Sequence, residues 1–301
     1  TLLFIEQGLN GLQFGVTLFL LAAGLTLVLG VMNFMNLAHG VLFMLGAYYC
    51  ANLTAWTGSF WIALPLALAA STLSGILLEL LIMRHLYKTS HLNQVLATFG
   101  LIFFFNEAVV FLWGPAALFM DLPAGLDGRV DIVEGLPYPT FRLAIIVAGL
   151  AVAAGLYYLI ARTRTGMLIR AGSYDQEMLT ALGVNSRYLF TAMFGLGSLL
   201  AGFAGLLTGP IQVIESGMGD PVLILALVVI VIGGIGSIRG AFVASIAVGL
   251  IDTWGRIFLP EFLSMLMPAD AASTAGPALS SMLIYVLMAA VLVVRPQGLF
   301  P

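Results

Sequence analysis

Charge is what this sequence has least of. Only 8% of its 301 residues are Asp, Glu, Lys or Arg, about a third of the share in an ordinary soluble domain. A soluble fold of this length covers its surface with such residues, so lipid is the expected solvent for most of this one. Lysine is reduced to Lys88, which follows Tyr87 rather than glycine. That excludes a G-x-x-x-x-G-K-[ST] phosphate loop, and with it an ATP site of that kind. The single cysteine, Cys50, excludes an intrachain disulfide and a thiolate cluster, and His39, His85 and His91 are not at metal-ligand spacing. Neither a G-x-S-x-G elbow nor an H-E-x-x-H pair occurs. A net charge of −3 offers no basic field for nucleic acid.

What is present is apolar, 61% of the chain, in runs long enough to cross a bilayer, which takes about 20 helical residues. The runs are roughly 8–32, 37–57, 60–83, 93–113, 140–161, 188–208, 222–238, 241–258 and 278–294. Their continuity excludes a barrel, whose strands alternate. The sequence therefore predicts an all-α polytopic membrane protein, with about nine transmembrane or re-entrant helices in a single domain over 1–301. The first run is too long for a cleaved signal peptide and is preceded by Glu6 instead of a basic segment.

The basic residues set an orientation. In a nine-span arrangement Arg84, Lys88, Arg162, Arg164, Arg170, Arg187, Arg239 and Arg295 share one side, taken as cytoplasmic. Most acids fall on the other, with only Arg129, Arg142 and Arg256 among them. The N-terminus is then outside and the C-terminus inside.

Two connections are long. The outer one, 114–139, is rich in glycine and proline and reads as an ordered cap or hairpin. The inner one, 162–187, has no proline, and Met167, Arg170, Ala171 and Tyr174 recur at helical spacing before Gly183 and Asn185, a helix stop. A short helix under the membrane is expected, exposing Asp175, Gln176 and Glu177. The spacing fits equally an interfacial connector resting on lipid.

Two polar or glycine-rich interruptions stand in corresponding places of the two halves, a pattern that points to a transport path and is consistent with internal duplication. In the first, Asn33, Asn36 and His39 either line a path or form a cytoplasmic turn with Asn36 as helix cap. In the second, Gly233, Gly234, Gly236 and Ser237 either line it or make a tight turn. In the sixth run Gly197, Ala201, Gly205 and Gly209 form a small-residue stripe suited to close helix packing. Glu79 reads as a surface group near Arg84. Glu107 and Asp252 read as outer-half acids that bond neighbouring helices or line an outer mouth.

These residues also carry a resemblance. The stretches Gly30–Gly40 with Met44–Tyr48, Thr165–Asn185, Ile232–Ala241 and Arg295–Phe300 resemble, in that order, the signatures of permeases in branched-chain amino acid ABC importers. The likeness spans nearly the whole chain. It departs at Arg239, where such permeases often have proline, and at Gly172-Ser173-Tyr174.

What the resemblance implies is a permease that is not itself an enzyme and carries no cofactor, with ATP and Mg on partner subunits. The implied partners are a second homologous permease, two cytoplasmic ATP-binding subunits and a periplasmic substrate-binding protein, in a bacterial inner membrane. Arg170, Asp175, Gln176 and Glu177 would contact an ATP-binding subunit through a coupling helix. The substrate would be a branched-chain or other neutral amino acid. The alternative is an ATP-independent secondary transporter or channel for a small neutral solute. A convincing intramembrane acid or histidine relay, which such a transporter would favour, is lacking.

Overall fold

The computed structural model describes residues 2–132 and 134–300, with the side chains of Gln176, Glu177 and Ala269 left aside. Eleven helices are found among them. They are α1 (Leu2–Met32), α2 (His39–Thr57), α3 (Phe60–Leu86, with a π-helical turn at Glu79–Met83), α4 (His91–Trp113), α5 (Thr140–Arg162), α6 (Arg164–Tyr174), α7 (Gln176–Ala181), α8 (Ser186–Thr208), α9 (Gly219–Gly233), α10 (Ile238–Ser264) and α11 (Ala269–Val294). A two-stranded antiparallel hairpin, β1 (Arg129–Asp131) with β2 (Pro137–Pro139), lies in the 114–139 connection, as the sequence predicts.

Seven helices are long and apolar enough to cross a membrane: α1, α3, α4, α5, α8, α10 and α11. All nine apolar runs are helical, but several ends differ from expectation: α1 begins six residues before its run and α10 continues six residues past its own. The 222–238 run stops at Gly233, because Gly234 and Gly236 take φ of +105° and +85°, which only glycine adopts freely. The resulting α9 is 15 residues, about 22 Å, short of the roughly 30 Å hydrocarbon core. The last run begins at Ala269, nine residues early, through a segment of small residues that remains helical around Pro277.

Helix α1 is the hub, with Leu18 to Val28 almost wholly enclosed. It packs on α8, α10, α5 and α9. Lipid tails give helices no hydrophobic reason to associate, so close backbone approach must supply the contact. Glycines supply it: a Cβ at Gly15 would lie 2.9 Å from Ile246 Cα, and one at Gly24 would lie 2.7 Å from the Gly197 carbonyl.

These contacts sort the helix ends. At the Leu2 end of α1 lie the hairpin, held to α1 by Tyr138 OH donating to Asn10 Oδ1, and the 209–218 loop, which the Leu118–Ile214 bridge ties to the start of the 114–139 connection. At the Met32 end lie α6, α7, the Gly234–Ser237 loop and the C-terminal tail. The eight basic residues grouped above all fall at the Met32 end.

Candidate functional site

The first interruption is irregular from Asn33, which has φ +48°, through Ala38. Its inner part is pinned by Met35 N donating to Gln94 Oε1 at 3.5 Å and by Phe34 edge-on to Tyr87. The chain then turns into the bundle. His39 Nε2 ends 2.9 Å from the point where a Cβ on Gly24 would stand, eight residues inside the end of α1. Asn36 and His39 are both 1% exposed, and their side-chain polar atoms have no hydrogen-bond partner among the described residues. The Leu21 carbonyl faces the imidazole without reaching hydrogen-bond geometry. Asn36 does not cap α2, whose cap position is Ala38 with no side-chain bond. Asn33 is exposed.

The second interruption is locked by the tail. The carbonyls of Ile232 and Gly233, left open as α9 ends, accept from Leu299 N at 2.9 Å and Phe300 N at 3.0 Å. Gly233 backs onto Gly240, Gly236 onto Gly30, and Ser237 caps α10 by accepting from Gly240 N at 3.2 Å. Two signatures some 60 residues apart in sequence are thus one structural unit. The Gly30–Gly236 contact also brings the two interruptions to the same end of α1.

The inner connection holds two helices, not one. Thr163 caps α6, and Asp175 caps α7 by accepting from Met178 N at 2.9 Å. An Asp in extended backbone satisfies an open N–H and so starts a new helix. Gly183, at φ +87°, provides the stop, while Asn185 caps α8. Ile169 and Leu179 are buried, and Gly172 sits among Leu179, Leu189 and Val31. The buried face therefore rests on α1 and α8 rather than on lipid. Arg170 is exposed and donates to the Ile160 carbonyl. The side chains of Gln176 and Glu177 lie outside the described residues. Met167, Tyr174, Met178, Leu182 and Tyr188, in and beside this segment, are exposed large side chains, Tyr174 being 94% exposed.

The small-residue stripe on α8 divides between partners. Gly197 meets α1 at Gly24 and Gly205 meets the Phe43 carbonyl of α2, while Ala201 is fully buried between them. Gly209 lies past the helix end and touches the Ile214 and Met120 side chains, a loop contact instead of helix packing.

Glu79 is not a surface group. It is fully buried in the π-helical turn, accepting from Arg84 Nε at 3.4 Å, Tyr87 OH at 3.1 Å and Thr191 Oγ1 at 2.8 Å. Burial raises the Tyr87 phenol pKa, and the Glu79 charge adds to the rise, so the phenol remains a donor. Asp252 is buried and bonds Arg256 Nε through both oxygens at 2.9 Å. Glu107 is exposed on α4.

A feature the sequence analysis missed lies at the Leu2 end. A cavity of about 270 Å³ is lined by Gln7, Asn10, Gln13 and Thr17 of α1, by Thr208 and Gln212, by Thr253, and by Arg142 of α5. Three of the chain's six glutamines converge there. Asn10 Oδ1 accepts from Arg142 at 2.6 Å and from Tyr138 OH at 3.0 Å, which holds the guanidinium at the cavity wall. Arg142 forms no ion pair among the described residues. A second cavity of about 730 Å³ shares Phe14, Ile211, Gln212 and Val222 with the first and extends to Glu215. The available signal was Gln7, Asn10, Phe14 and Thr17, spaced by three and four as one face of a helix. No group of three or more potential metal ligands occurs among the described residues.

Seven long apolar helices define a polytopic α-helical membrane protein. A family model described as "Branched-chain amino acid transport system / permease component" matches residues 8–292, and the chain belongs to that family of ABC-importer permeases. The chain is 31% identical over 264 residues to the high-affinity branched-chain amino acid transport system permease protein BraD of Pseudomonas aeruginosa, covering 84% of this chain and 86% of that one. It is 26% identical to the corresponding protein LivH of Escherichia coli K12, over 86% and 88% of the two chains. A probable LivH of Methanocaldococcus jannaschii is 25% identical, over 94% and 88%. No solved structure matches. Permeases of this family are not themselves enzymes, and ATP hydrolysis is carried by separate subunits.

Proposed function

We propose that this chain forms half of the translocation path of an ATP-driven importer for branched-chain or other neutral amino acids. The observation that carries the reading is the cavity of neutral amides and hydroxyls around Arg142, set in an apolar bundle at the acidic end. Amides and hydroxyls bond a zwitterion without holding it tightly, and an unpaired guanidinium is the natural contact for its carboxylate. Phe14, Ile211 and Val222 in the adjoining wall suit an aliphatic side chain.

The Leu2 end faces the periplasm and receives substrate from a binding protein. The Met32 end faces the cytoplasm, in agreement with its arginines. There Asn36, His39 and the Gly233–Ser237 loop form the inner part of the path. Around Tyr174 and Met178, α6 and α7 dock an ATP-binding subunit, and a second homologous permease completes the importer. Because α6 rests directly on α1 and α8, motion of the ATPase reaches the bundle as movement of packed helices.

The test is uptake of labelled leucine into proteoliposomes holding the full importer. ATP-dependent uptake supports the reading. Uptake that proceeds equally without ATP-binding subunits overturns it in favour of a secondary transporter.

A further inference from the structure

A third cavity, of about 280 Å³, opens at the basic end between α1, α5, α6 and the start of α10. Its polar wall carries Arg170, Arg239, Ser173, Ser237 and Tyr157, and no acid among the described residues lines it. Arg239 lies 5.3 Å above the ring of Tyr157, and Arg170 is held by the Ile160 carbonyl. The ion pairs found among the described residues use Arg84 and Arg256 instead. The Ser173 hydroxyl donates to the Arg170 carbonyl at 2.8 Å, which leaves Tyr157 and Ser237 as hydroxyl donors. Two positioned guanidiniums with these hydroxyls and, among the described residues, no counter-ion form a receptor for a phosphate group.

The other wall is apolar: Leu27, Val31, Ile160, Ile169 and Ile238. Tyr157, which lines it, is 52% exposed. A soluble anion gains nothing from such a wall, whereas an acyl chain does. We propose that this cavity binds an anionic phospholipid of the inner leaflet, its phosphate between Arg170 and Arg239 and its chains along the apolar wall. Basic pockets between helices on the cytoplasmic side are where such headgroups settle. The lipid would tie α6, the element next to the ATPase, to the loop that starts α10.

The test follows thermal unfolding of the full-length chain in detergent on adding phosphatidylglycerol, phosphatidylcholine or inorganic phosphate at matched ionic strength. Wild type is compared with R170Q/R239Q and with R187Q, which changes a basic-end arginine outside the cavity. Phosphatidylglycerol should raise the wild-type and R187Q midpoints by several degrees, and the double variant should lose more than half of that shift. Phosphatidylcholine should have no effect. Equal shifts in wild type and double variant overturn the site, and a wild-type shift reproduced by inorganic phosphate overturns its lipid occupant. If the double variant does not fold, R239K replaces it, since it keeps the charge but loses the planar fork of donors beside Tyr157; its native mass spectrum should show less retained phosphatidylglycerol than wild type, and equal retention overturns the site. Retention by the isolated chain but not by the assembled importer would make the cavity a subunit contact and overturn the proposal.

Discussion

The carbonyl of Gly233 accepts a hydrogen bond from Phe300 N at 3.0 Å, and one residue on, a Cβ at Gly234 would stand 2.6 Å from the Phe300 carbonyl. The α9 terminus and the tail therefore hold each other, and glycine is required at 234 both by the contact and by φ +105°. Gly234→Leu should cost on the order of 1–3 kcal/mol through backbone strain and release residues 295–300. Limited proteolysis of the tail and leucine uptake should change together, uptake being abolished. Wild-type uptake with a protected tail would show that the loop tolerates a side chain.

Glu79 is held by three donors inside the bundle. Glu79→Ala removes the partner of a half-buried Arg84 and leaves Tyr87 without its acceptor, while Thr191 can fall back on the Arg187 carbonyl at 3.1 Å, so a loss of about 3 kcal/mol is expected. Thr191→Val, which removes one donor, should cost about 1 kcal/mol. Thermal unfolding in detergent checks both, and equal midpoints for the two variants would contradict the network.

Apolar run length places all nine helices, because a membrane leaves the backbone no other way to satisfy itself. Where those helices stop was harder to read, since Gly234 and Gly236 end α9 by conformation and not by any change of polarity. The capping role of Asp175 is local chemistry and was readable in principle; its charge drew attention away from its position. Glu79 was misplaced because its partner Thr191 is 112 residues away, a distance no periodicity reports. The cavity around Arg142 is assembled from α1, α2, α5, α9, α10, the end of α8 and the loop that follows it, and only its α1 face has a sequence spacing. Resemblance marked the inner loops and the coupling segment, which are continuous in sequence, and passed over the outer cavity, which is not.

Asp175 and Tyr174 separate folding from docking in the coupling segment. Asp175→Ala should destabilise α7 by about 1 kcal/mol, and Asp175→Asn should restore it, since either side chain can cap. Tyr174→Ala removes an exposed ring and should leave the fold intact while lowering co-purification of the ATP-binding subunits. The double variant with Lys at 175 and 177 should also lower it. Unchanged co-purification in the Tyr174 and Lys variants would place the ATPase contact elsewhere.

Arg142 provides the sharpest test of the outer cavity. Its guanidinium is aimed by Asn10, which Tyr138 braces from the other side; burial raises the Tyr138 phenol pKa, so the brace persists as a donor at neutral pH. Arg142→Gln keeps hydrogen bonding but removes the charge, and a charge-assisted bond is worth about 1.5–3 kcal/mol. If the carboxylate passes this residue, leucine uptake should fall by about tenfold to a hundredfold, while the importer still assembles and its basal ATPase rate is unchanged. Asn10→Ala should reproduce part of the loss by letting the guanidinium swing away, and Asn10→Asp, which would neutralise Arg142, should reproduce most of it. Normal uptake in Arg142→Gln, with wild-type uptake still dependent on ATP, would remove the cavity from the path without touching the importer assignment.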